Sequence, residues 1–367
     1  MTKRPLVFFA HHQGRGHANR IMAIAAYIPH DRPLHILTAK PDQFDDMPRH
    51  SKITQLPDMI GAPSRSNALH EEPTPSIMHC VPLGVDEMRQ HMRIIANTLG
   101  EVDPALFVID VSAEIALLAR IMSVPAISIR MHGSRNDTGH LAAYEASVGM
   151  LAPFDEVIEQ EDYPAWARER TYYTGGLCTT DGPVLERELA RERLGLPTDK
   201  SITLVIAGGG GSGTPYAPLT VAARAEPDAL WLIAGPLHKE GHETDFGNLR
   251  ELGWVDNLDE YLAAADRVVA SAGDNTVHEI ARFAKPFLCI PEWRYFDEQR
   301  RKAIELDRVG GAIYRETWPA SIPEWKEALA ATDNLDTANL AQLHEPDAAR
   351  RAAEWLEAKA KEYWTAS

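Results

Sequence analysis

The sequence predicts an α/β protein made of two doubly wound, parallel-sheet domains. Short apolar runs alternate with amphipathic helical patterns in both halves of the chain, which is typical of strands joined by crossover helices. The runs are apolar at successive positions, as expected for parallel strands that are buried on both faces. At 367 residues the chain also exceeds the length of one ordinary domain, so two domains are expected.

Four buried strands are predicted in each domain. In chain order they are LVFFA (6–10), LHILTA (34–39), ALFVID (105–110), AISIR (126–130), SITLVIAG (201–208), ALWLIAG (229–235), RVVAS (267–271) and PFLCIP (286–291). Helical spacing predicts the helices RIMAIAAYI (20–28), SAEIALLARIMS (112–123), DNLDEYLAAA (256–265) and NTVHEIARFA (275–284). The alternation breaks between residues 150 and 180, where the sequence is polar and aromatic. We therefore predict an N-terminal domain over 1–165, a C-terminal domain over 166–340, and a terminal helix over 341–367 that packs back toward the N-terminal domain.

Composition narrows the class of protein. The chain is 44% hydrophobic and 25% charged, which is typical of a soluble globular protein. No apolar segment approaches the roughly 20 residues that span a bilayer, so a cytoplasmic protein without a transmembrane segment is expected. The net charge of −16 argues against a nucleic-acid partner. The three cysteines, Cys80, Cys178 and Cys289, are far apart and are expected to be reduced thiols.

Polar, glycine-containing segments follow the predicted strands, at the edge where open parallel sheets bind ligands. The first such segment is HHQGRGHANR (11–20), and a turn made only for geometry would not need its imidazoles. Gly14 and Gly16 permit a tight turn and the close approach of a ligand. Arg15 and Arg20 are candidates for steadying a phosphate or an anionic acceptor, although Arg20 also fits a solvated position on the following helix.

A glycine-rich loop, AGGGGSG (207–213), opens the C-terminal domain. Gly208, Gly210 and Gly213 fit the G-x-G-x-x-G pattern of dinucleotide-binding proteins. That function also needs an acid after the next strand, where this chain has Ala234-Gly235-Pro236, so NAD is disfavoured. A loop whose backbone approaches a phosphate remains the better interpretation.

The segment SAGDNTVHEIARFAKPFLCIPEWRYFDEQ (271–299) predicts a strand, a glycine turn and a helix that Asp274 or Asn275 caps. Together with GWVDN (253–257) and FDEQRRKA (296–303), it resembles the nucleotide-sugar half of GT-B glycosyltransferases, specifically glycosyltransferase family 28. The resemblance spans most of residues 200 to 315. It departs from the family at Arg300, where a second glutamine often follows the one matching Gln299. It implies a GT-B fold, with two Rossmann-like domains facing across a cleft.

The resemblance implies a donor site for a UDP-sugar, with a dTDP-sugar as the alternative donor. In this pattern Glu279 accepts hydrogen bonds from both ribose hydroxyls, and Val255 reads the base through its main chain with Trp254 beside it. Asp297 and Gln299 face the sugar hydroxyls. The remaining candidates for contact with the nucleotide sugar are small or hydroxyl-bearing residues: Gly14, Gly16, Gly209, Gly210, Gly211, Ser212, Gly273, Asn275 and Thr276.

The resemblance also implies that His17 is a general base for an acceptor hydroxyl, a role that suits the near-neutral titration of imidazole. Asp110 ends another strand of the same predicted sheet and is the candidate that fixes the tautomer of His17. The alternative for Asp110 is a helix N-cap, for which Ser112 competes. His12, His132 and Arg135 are acceptor-contact candidates. No metal or other cofactor is expected, since no D-x-D pair follows a strand and no H-E-x-x-H occurs.

These features favour an inverting, metal-independent glycosyltransferase with a nucleotide sugar and an acceptor, by preference a soluble one, as its partners. Three alternatives stay open on the same scaffold. GRGHANR (14–20) also resembles the UDP-sugar hydrolase of pseudaminic acid biosynthesis, and a UDP-sugar 2-epimerase shares the fold. A non-catalytic nucleotide-sugar binder is disfavoured because it gives His17 and Asp110 no task.

Overall fold

The chain folds into two compact units. The computed structural model describes residues 3–12, 15–45, 47–48, 50–59, 67–177, 182–208, 213–241 and 244–364. The first unit comprises Met1–Pro153, Glu161–Leu177 and Asp347–Ser367. The second unit comprises Phe154–Gln160 and Cys178–Pro346. The predicted boundary between residues 165 and 166 lies inside Glu161–Leu177, a stretch that belongs to the first unit.

The first unit is built on a parallel sheet flanked by helices. Its strands are β1 (Leu6–Ala10), β2 (Leu34–Thr38), β3 (Ser51–Gln55), β4 (Leu106–Asp110), β5 (Ala126–Ile129), β6 (Gly149–Ala152) and β7 (Thr171–Tyr173). Its helices up to this point in the chain are α1 (Gly16–Ala25), α2 (Asn67–Glu71), α3 (Asp86–Val102), α4 (Ala113–Ile121), α5 (Thr138–Ala146) and α6 (Ala165–Glu169). Short 3-10 turns cover Pro41–Gln43 and Glu156–Ile158, the second of them in the second unit.

The strand order in the first sheet is β3-β2-β1-β4-β5-β6-β7, and every pairing is parallel. Chain order reverses between β1 and β4, which pair from Leu6 with Leu106 to Phe9 with Ile109. All residues of β1 and β4 are buried. The crevice beyond the carboxyl ends of β1 and β4 is where an open α/β sheet binds ligands.

The second unit repeats this design. Its strands are β8 (Ile202–Ile206), β9 (Thr214–Pro215), β10 (Leu230–Ala234), β11 (Leu237–His238), β12 (Leu249–Gly253), β13 (Arg267–Ala270), β14 (Phe287–Cys289) and β15 (Ile313–Tyr314). Its helices are α7 (Arg187–Leu194), α8 (Tyr216–Ala225), α9 (Leu258–Ala264), α10 (Asp274–Arg282), α11 (Glu298–Arg308), α12 (Ile322–Asp333) and α13 (Thr337–Ala341), with a 3-10 turn at Tyr295–Asp297. The main sheet has the order β12-β10-β8-β13-β14-β15, all parallel, and β9 pairs with β11.

The last helix, α14 (Ala348–Trp364), belongs to the first unit. Arg32 donates two hydrogen bonds to the carboxylate of Glu357, at 2.7 and 2.9 Å. Trp355 stacks on Tyr172 of β7 with a ring-centroid separation of 5.0 Å. A parallel aromatic stack and a two-point ion pair fix α14 against this unit.

The prediction of two doubly wound parallel α/β domains is confirmed. The first unit packs β1 and β4 against α3 and α4 around Phe9, Ile95 and Phe107. The second packs β8, β10 and β13 against α8 and α12 around Trp231 and Trp325, whose rings meet edge to face at 5.4 Å. Both sheets therefore present their strand ends from a rigid, buried framework.

Candidate functional site

The first group of predicted site residues lies at the carboxyl edge of the first sheet. His11 and His12 directly follow β1, and His17 lies in the first turn of α1. Asp110 is the last residue of β4, the neighbour of β1. Gly16 begins α1, while Gly14 lies outside the described residues.

His17 and Asp110 are brought together. His17 Nδ1 lies 3.0 Å from Asp110 Oδ2, and Asp110 is fully buried whereas the His17 side chain is 18% exposed. Arg20 is also buried, and its guanidinium donates a long hydrogen bond of 3.5 Å to the same Oδ2. The solvated alternative for Arg20 is therefore wrong. The structure gives the N-cap position of α4 to Ser112, so Asp110 is not the helix cap.

Charge at this edge is arranged to keep Asp110 ionised. Burial by itself raises the pKa of a carboxyl group, but Arg20 and His17 outweigh burial and hold the pKa of Asp110 below its usual range. A carboxylate facing Nδ1 favours the tautomer with a proton on that nitrogen. Nε2 of His17 is then the basic nitrogen.

His11 and His12 form an imidazole group beside this pair. Their rings stack at 4.5 Å, and the ring of His11 lies 5.5 Å from that of His17. Burial, with His17 and His12 nearby, lowers the pKa of His11 to about 3. Burial also lowers the pKa of His12. Both rings are therefore neutral at pH 7.

The acceptor candidates His132 and Arg135 lie in the segment that follows β5, the strand next to β4. His132 is fully buried and Arg135 is 6% exposed. In the same segment, the sulfur of Met131 accepts a long hydrogen bond of 3.5 Å from the Arg20 guanidinium. The segment is thus packed against the His17–Asp110 group.

The second group of predicted residues lies in the second unit, where chain order reverses between β8 and β13. Gly208 follows β8, and a Cβ built on it would lie 3.8 Å from the Glu292 carboxylate oxygens and from Ser271 Oγ. Gly209, Gly210, Gly211 and Ser212 lie outside the described residues. The ends of β8, β13 and β14 therefore meet at one place, as the topology predicts.

Strand β10, the neighbour of β8, is followed by a glycine that packs closely against the backbone after β8, and no carboxylate lies at this position. Gly235 has a φ of +104°, and a Cβ there would lie 2.2 Å from the carbonyl oxygen of Ala207. Its N–H donates to the carbonyl of Gly253 at 2.7 Å. This position cannot supply the ribose-binding acid of a dinucleotide site.

Helix α10 begins at this same edge. Its N-cap is Gly273, so the prediction that Asp274 or Asn275 caps the helix is wrong. Asp274 instead pairs with the buried ammonium group of Lys302 on α11. Gly273 has no side chain, so the N-cap residue itself makes no capping hydrogen bond to the first turn of α10. Its N–H groups and helix dipole favour an anion there.

Gln299 connects the segment after β14 to the glycine turn before α10. It is buried, and its Oε1 accepts a hydrogen bond of 2.8 Å from the Glu292 N–H. A Cβ on Gly273 would lie 3.9 Å from Gln299 Nε2 and 3.8 Å from Thr276 Oγ1. Gln299, Gly273 and Thr276 are therefore neighbours, with Asn275 in the same helical turn.

Asp297 is exposed at the N-terminus of α11. Asp297 and the preceding Phe296 have φ values of +54° and +63°, a left-handed conformation that costs a non-glycine residue about 1–2 kcal/mol. Two consecutive strained residues beside a polar strand edge are typical of a functional loop.

Glu279 lies one turn further along α10 and is half-buried. Burial, and secondarily Asp259, raises its pKa to about 7, while Arg282 acts in the opposite direction. Arg282 itself donates a 2.8 Å hydrogen bond to Asp259. The Glu279 carboxyl group is therefore poised between its two protonation states at neutral pH, a property common at functional sites.

Trp254 and Val255 lie in the segment after β12. Trp254 is 74% exposed, whereas Val255 is half-buried. Trp293 and Tyr295, 73% and 60% exposed, pack edge to face in the segment after β14. Exposed aromatic rings near a polar strand edge are suited to stacking on flat ligands.

Sequence reasoning missed three polar residues of this edge: Ser271, Glu292 and Lys302. Ser271 and Glu292 follow strands, so their position was a usable signal. The burial of Lys302 could not be predicted, because the surrounding sequence is basic and helical.

In the part of the chain that the structure describes, no helix is both long and apolar enough to cross a membrane.

Comparison with known proteins agrees with this geometry. Residues 222–353 match the glycosyltransferase family 28 C-terminal domain. A UDP-N-acetylglucosamine--N-acetylmuramyl-(pentapeptide) pyrophosphoryl-undecaprenol N-acetylglucosamine transferase from Leifsonia xyli subsp. xyli is 31% identical over 166 residues, which is 44% of this chain and 46% of that protein. The Acetivibrio thermocellus enzyme of the same name is 29% identical over 40% of this chain and 42% of its own length. The chain thus spans less than half of these two relatives.

Solved structures match over nearly the whole chain. MurG of Acinetobacter baumannii has a TM-score of 0.65 at 15% identity, covering 97% of this chain and 99% of its own. The calicheamicin glycosyltransferase CalG4 has a TM-score of 0.68 at 15% identity, with complete coverage of both chains. At this identity the likeness establishes the fold. The chain therefore has a GT-B fold, and residues 222–353 are similar to the C-terminal domain of glycosyltransferase family 28.

Proposed function

We propose that the protein transfers a glycosyl group from a UDP-sugar to an acceptor hydroxyl. The observation that carries the proposal is the strand edge of the second unit, where the glycine turn, the α10 N-terminus and Glu279 occur within a family 28 domain. The two relatives compared above are named as transferases of a UDP-linked sugar.

The donor residues have chemistry suited to the parts of a UDP-sugar. The N–H groups at the start of α10 and the hydroxyl of Thr276 bind the diphosphate, whose charge the helix dipole offsets. The Glu279 carboxylate accepts hydrogen bonds from two ribose hydroxyls, because it has two acceptor oxygens. Asp297 and Gln299 serve the sugar hydroxyls in the same way.

His17 is assigned the removal of the proton from the acceptor hydroxyl. With Asp110 at Nδ1, Nε2 takes the proton of the acceptor hydroxyl as that oxygen forms its bond to the anomeric carbon. The bond from the anomeric carbon to the diphosphate breaks, and UDP leaves with the electron pair. Attack from the face opposite the leaving group inverts the anomeric centre. The α10 N-terminus stabilises the leaving diphosphate in the place of a metal ion.

Release of UDP from UDP-N-acetylglucosamine, UDP-glucose and UDP-galactose tests the proposal. The wild-type protein is expected to release UDP slowly by itself and faster when an acceptor is added. Rapid release without an acceptor, with free sugar as product, would replace transfer by hydrolysis. An epimerised sugar detected by chromatography would replace it by 2-epimerisation.

His17→Ala separates catalysis from binding. We expect the rate of UDP release to fall by about 10²–10⁴-fold, because general-base catalysis contributes about that much, while UDP affinity is unchanged. His30→Ala is the matched control, since His30 is an exposed histidine of the same unit. Loss of UDP affinity in His17→Ala would show that His17 contacts the nucleotide instead of acting as a base.

A further inference from the structure

A histidine–carboxylate cluster lies in the first unit, outside the residues assigned to transfer. Its members are His79, in the loop between α2 and α3, and Asp137 and His140 at the N-terminus of α5. One ligand atom from each of the three side chains lies within 4.8 Å of the other two. The ring centroids of His79 and His140 are 4.8 Å apart.

Asp137 and His140 are fixed to each other by the start of α5. Asp137 is the N-cap, and its Oδ1 accepts hydrogen bonds from the N–H groups of Gly139 and His140 at 3.1 and 3.2 Å. Its second oxygen, Oδ2, lies 2.5 Å from His140 Nδ1. The carboxylate and the imidazole are therefore held side by side before any ligand binds.

Two further features fix the backbone of the loop that carries His79, one on α4 and one on α5. Glu114 of α4 is buried, and its Oε1 accepts hydrogen bonds from the N–H groups of His79 and Cys80 at 2.8 and 2.7 Å. Gly139 has no Cβ, and one built there would lie 3.0 Å from the Met78 carbonyl carbon and 3.1 Å from the His79 nitrogen. Any larger residue would push the loop away from the helix.

We propose that His79, Asp137 and His140 bind a zinc ion that ties the loop between α2 and α3 to the first turn of α5. Two imidazoles and one carboxylate are a common three-ligand set for Zn²⁺, with water as the fourth ligand. The Asp137 and His140 atoms, now in hydrogen-bond contact, move apart by less than about 1 Å to reach tetrahedral spacing. This cluster matches neither D-x-D nor H-E-x-x-H, the two motifs whose absence led to the expectation of no metal.

The inference is independent of the proposed transfer reaction. The ion has no part in the chemistry assigned to His17 and the donor residues. Asp137 follows the predicted acceptor-contact residues His132 and Arg135 in sequence, so the zinc ion also steadies the end of that segment.

Zinc titration of the full-length protein tests the proposal. The protein is stripped with EDTA, which is then removed, and Zn²⁺ is added in competition with a chromophoric chelator. We expect one zinc ion per chain and a rise in melting temperature with Zn²⁺, because a ligand that binds only the folded state stabilises it. His79→Ala and His140→Ala are each expected to weaken zinc binding by more than about tenfold.

Two control variants define the ligands. His238→Ala removes an exposed histidine of the second unit and should bind zinc as the wild type does. Cys80→Ser should also leave zinc binding unchanged. Zinc binding that disappears in Cys80→Ser but persists in His79→Ala would overturn the proposal, as would a wild-type protein that binds no zinc at 100-fold excess. The exposed His79 decides the outcome even if the buried His140 cannot be replaced without loss of the fold, which circular dichroism reports.

Discussion

Replacing Glu279 by glutamine is predicted to stabilise the protein at alkaline pH while weakening nucleotide binding. Glu279 lies half-buried on α10, and burial raises its pKa from 4.5 to about 7. A carboxyl group with a raised pKa in the folded state favours folding below pH 4.5, and this contribution is lost as the pH rises through 7. Glutamine has nearly the same shape and does not ionise.

The size of the effect follows from the pKa. The folded-state value lies about 2.5 pH units above 4.5, and each unit corresponds to about 1.4 kcal/mol, which gives at most about 3.5 kcal/mol. Because the side chain is only half-buried, we expect a gain of about 1–3 kcal/mol above pH 8. For a unit of this size, that gain raises the melting temperature by about 3–10 °C.

Thermal melting of the wild type and Glu279→Gln between pH 4 and 8.5, without nucleotide, measures the difference. It should be close to zero near pH 4, grow between pH 4.5 and 7, and level off above pH 7. Glu192→Gln is the matched control, since Glu192 is exposed on α7 of the same unit. A difference that is independent of pH, or a variant less stable than the wild type at pH 8, would refute the reasoning.

The same substitution tests the role of Glu279 in binding. Hydrogen bonds to a charged group contribute about 1.5–3 kcal/mol, so UDP affinity should fall at least about tenfold in Glu279→Gln. In the wild type, UDP affinity should increase between pH 6 and 8 as the carboxyl group ionises. Calorimetric titration measures both. Unchanged affinity in the variant would remove Glu279 from the ribose site.

Further predictions concern both units. Asp110→Ala should lower the free energy of unfolding by about 3–5 kcal/mol, because it leaves the buried Arg20 without its carboxylate; urea denaturation giving less than 1 kcal/mol would contradict this. Gly235→Ala should cost about 2–5 kcal/mol because its Cβ would overlap a backbone carbonyl, whereas Gly247→Ala, into open space, should cost under 1 kcal/mol; equal denaturation midpoints would refute the clash. His11, with its pKa lowered from 6.5 to about 3, should make stability fall as the pH drops below 6.5, by up to about 1.4 kcal/mol per pH unit; His11→Gln should reduce this slope, and an unaltered slope in pH-dependent melting would contradict it.

The buried strands were predictable because parallel strands covered on both faces leave continuous apolar runs. β1, β4, β8 and β13 each match such a run, and all their residues are buried. β3 and β7 were not predicted. Both lie at sheet edges and are only partly buried, so their sequences, SKITQ and TYY, keep polar residues and show no apolar run.

The pairing of His17 with Asp110 was predictable in outline, because residues that end neighbouring parallel strands meet at one edge. The third member, Arg20, was not: one turn beyond His17, an arginine on an amphipathic helix is ordinarily solvated, and only the packed structure shows that it is buried against Asp110. The N-cap of α10 was predicted one or two residues too late, at Asp274 or Asn275 instead of Gly273, and Asp274 pairs with Lys302 instead.

The zinc candidate lay beyond sequence reasoning. His79 is about 60 residues from Asp137 and His140, and they meet only because Glu114 fixes a loop against a glycine of α5. The loop that carries His79 has no regular sequence pattern, and the helical pattern around Glu114 does not indicate that this side chain binds the loop. Contacts of this kind depend on tertiary packing and leave no local signature.

Calorimetric titration of the protein with UDP, and in parallel with NAD⁺, tests the central claim most directly. UDP is expected to bind with a stoichiometry of one per chain, and NAD⁺ is expected to give no heat of binding. Binding of NAD⁺ without binding of UDP would contradict the assignment of the second unit as a nucleotide-sugar domain.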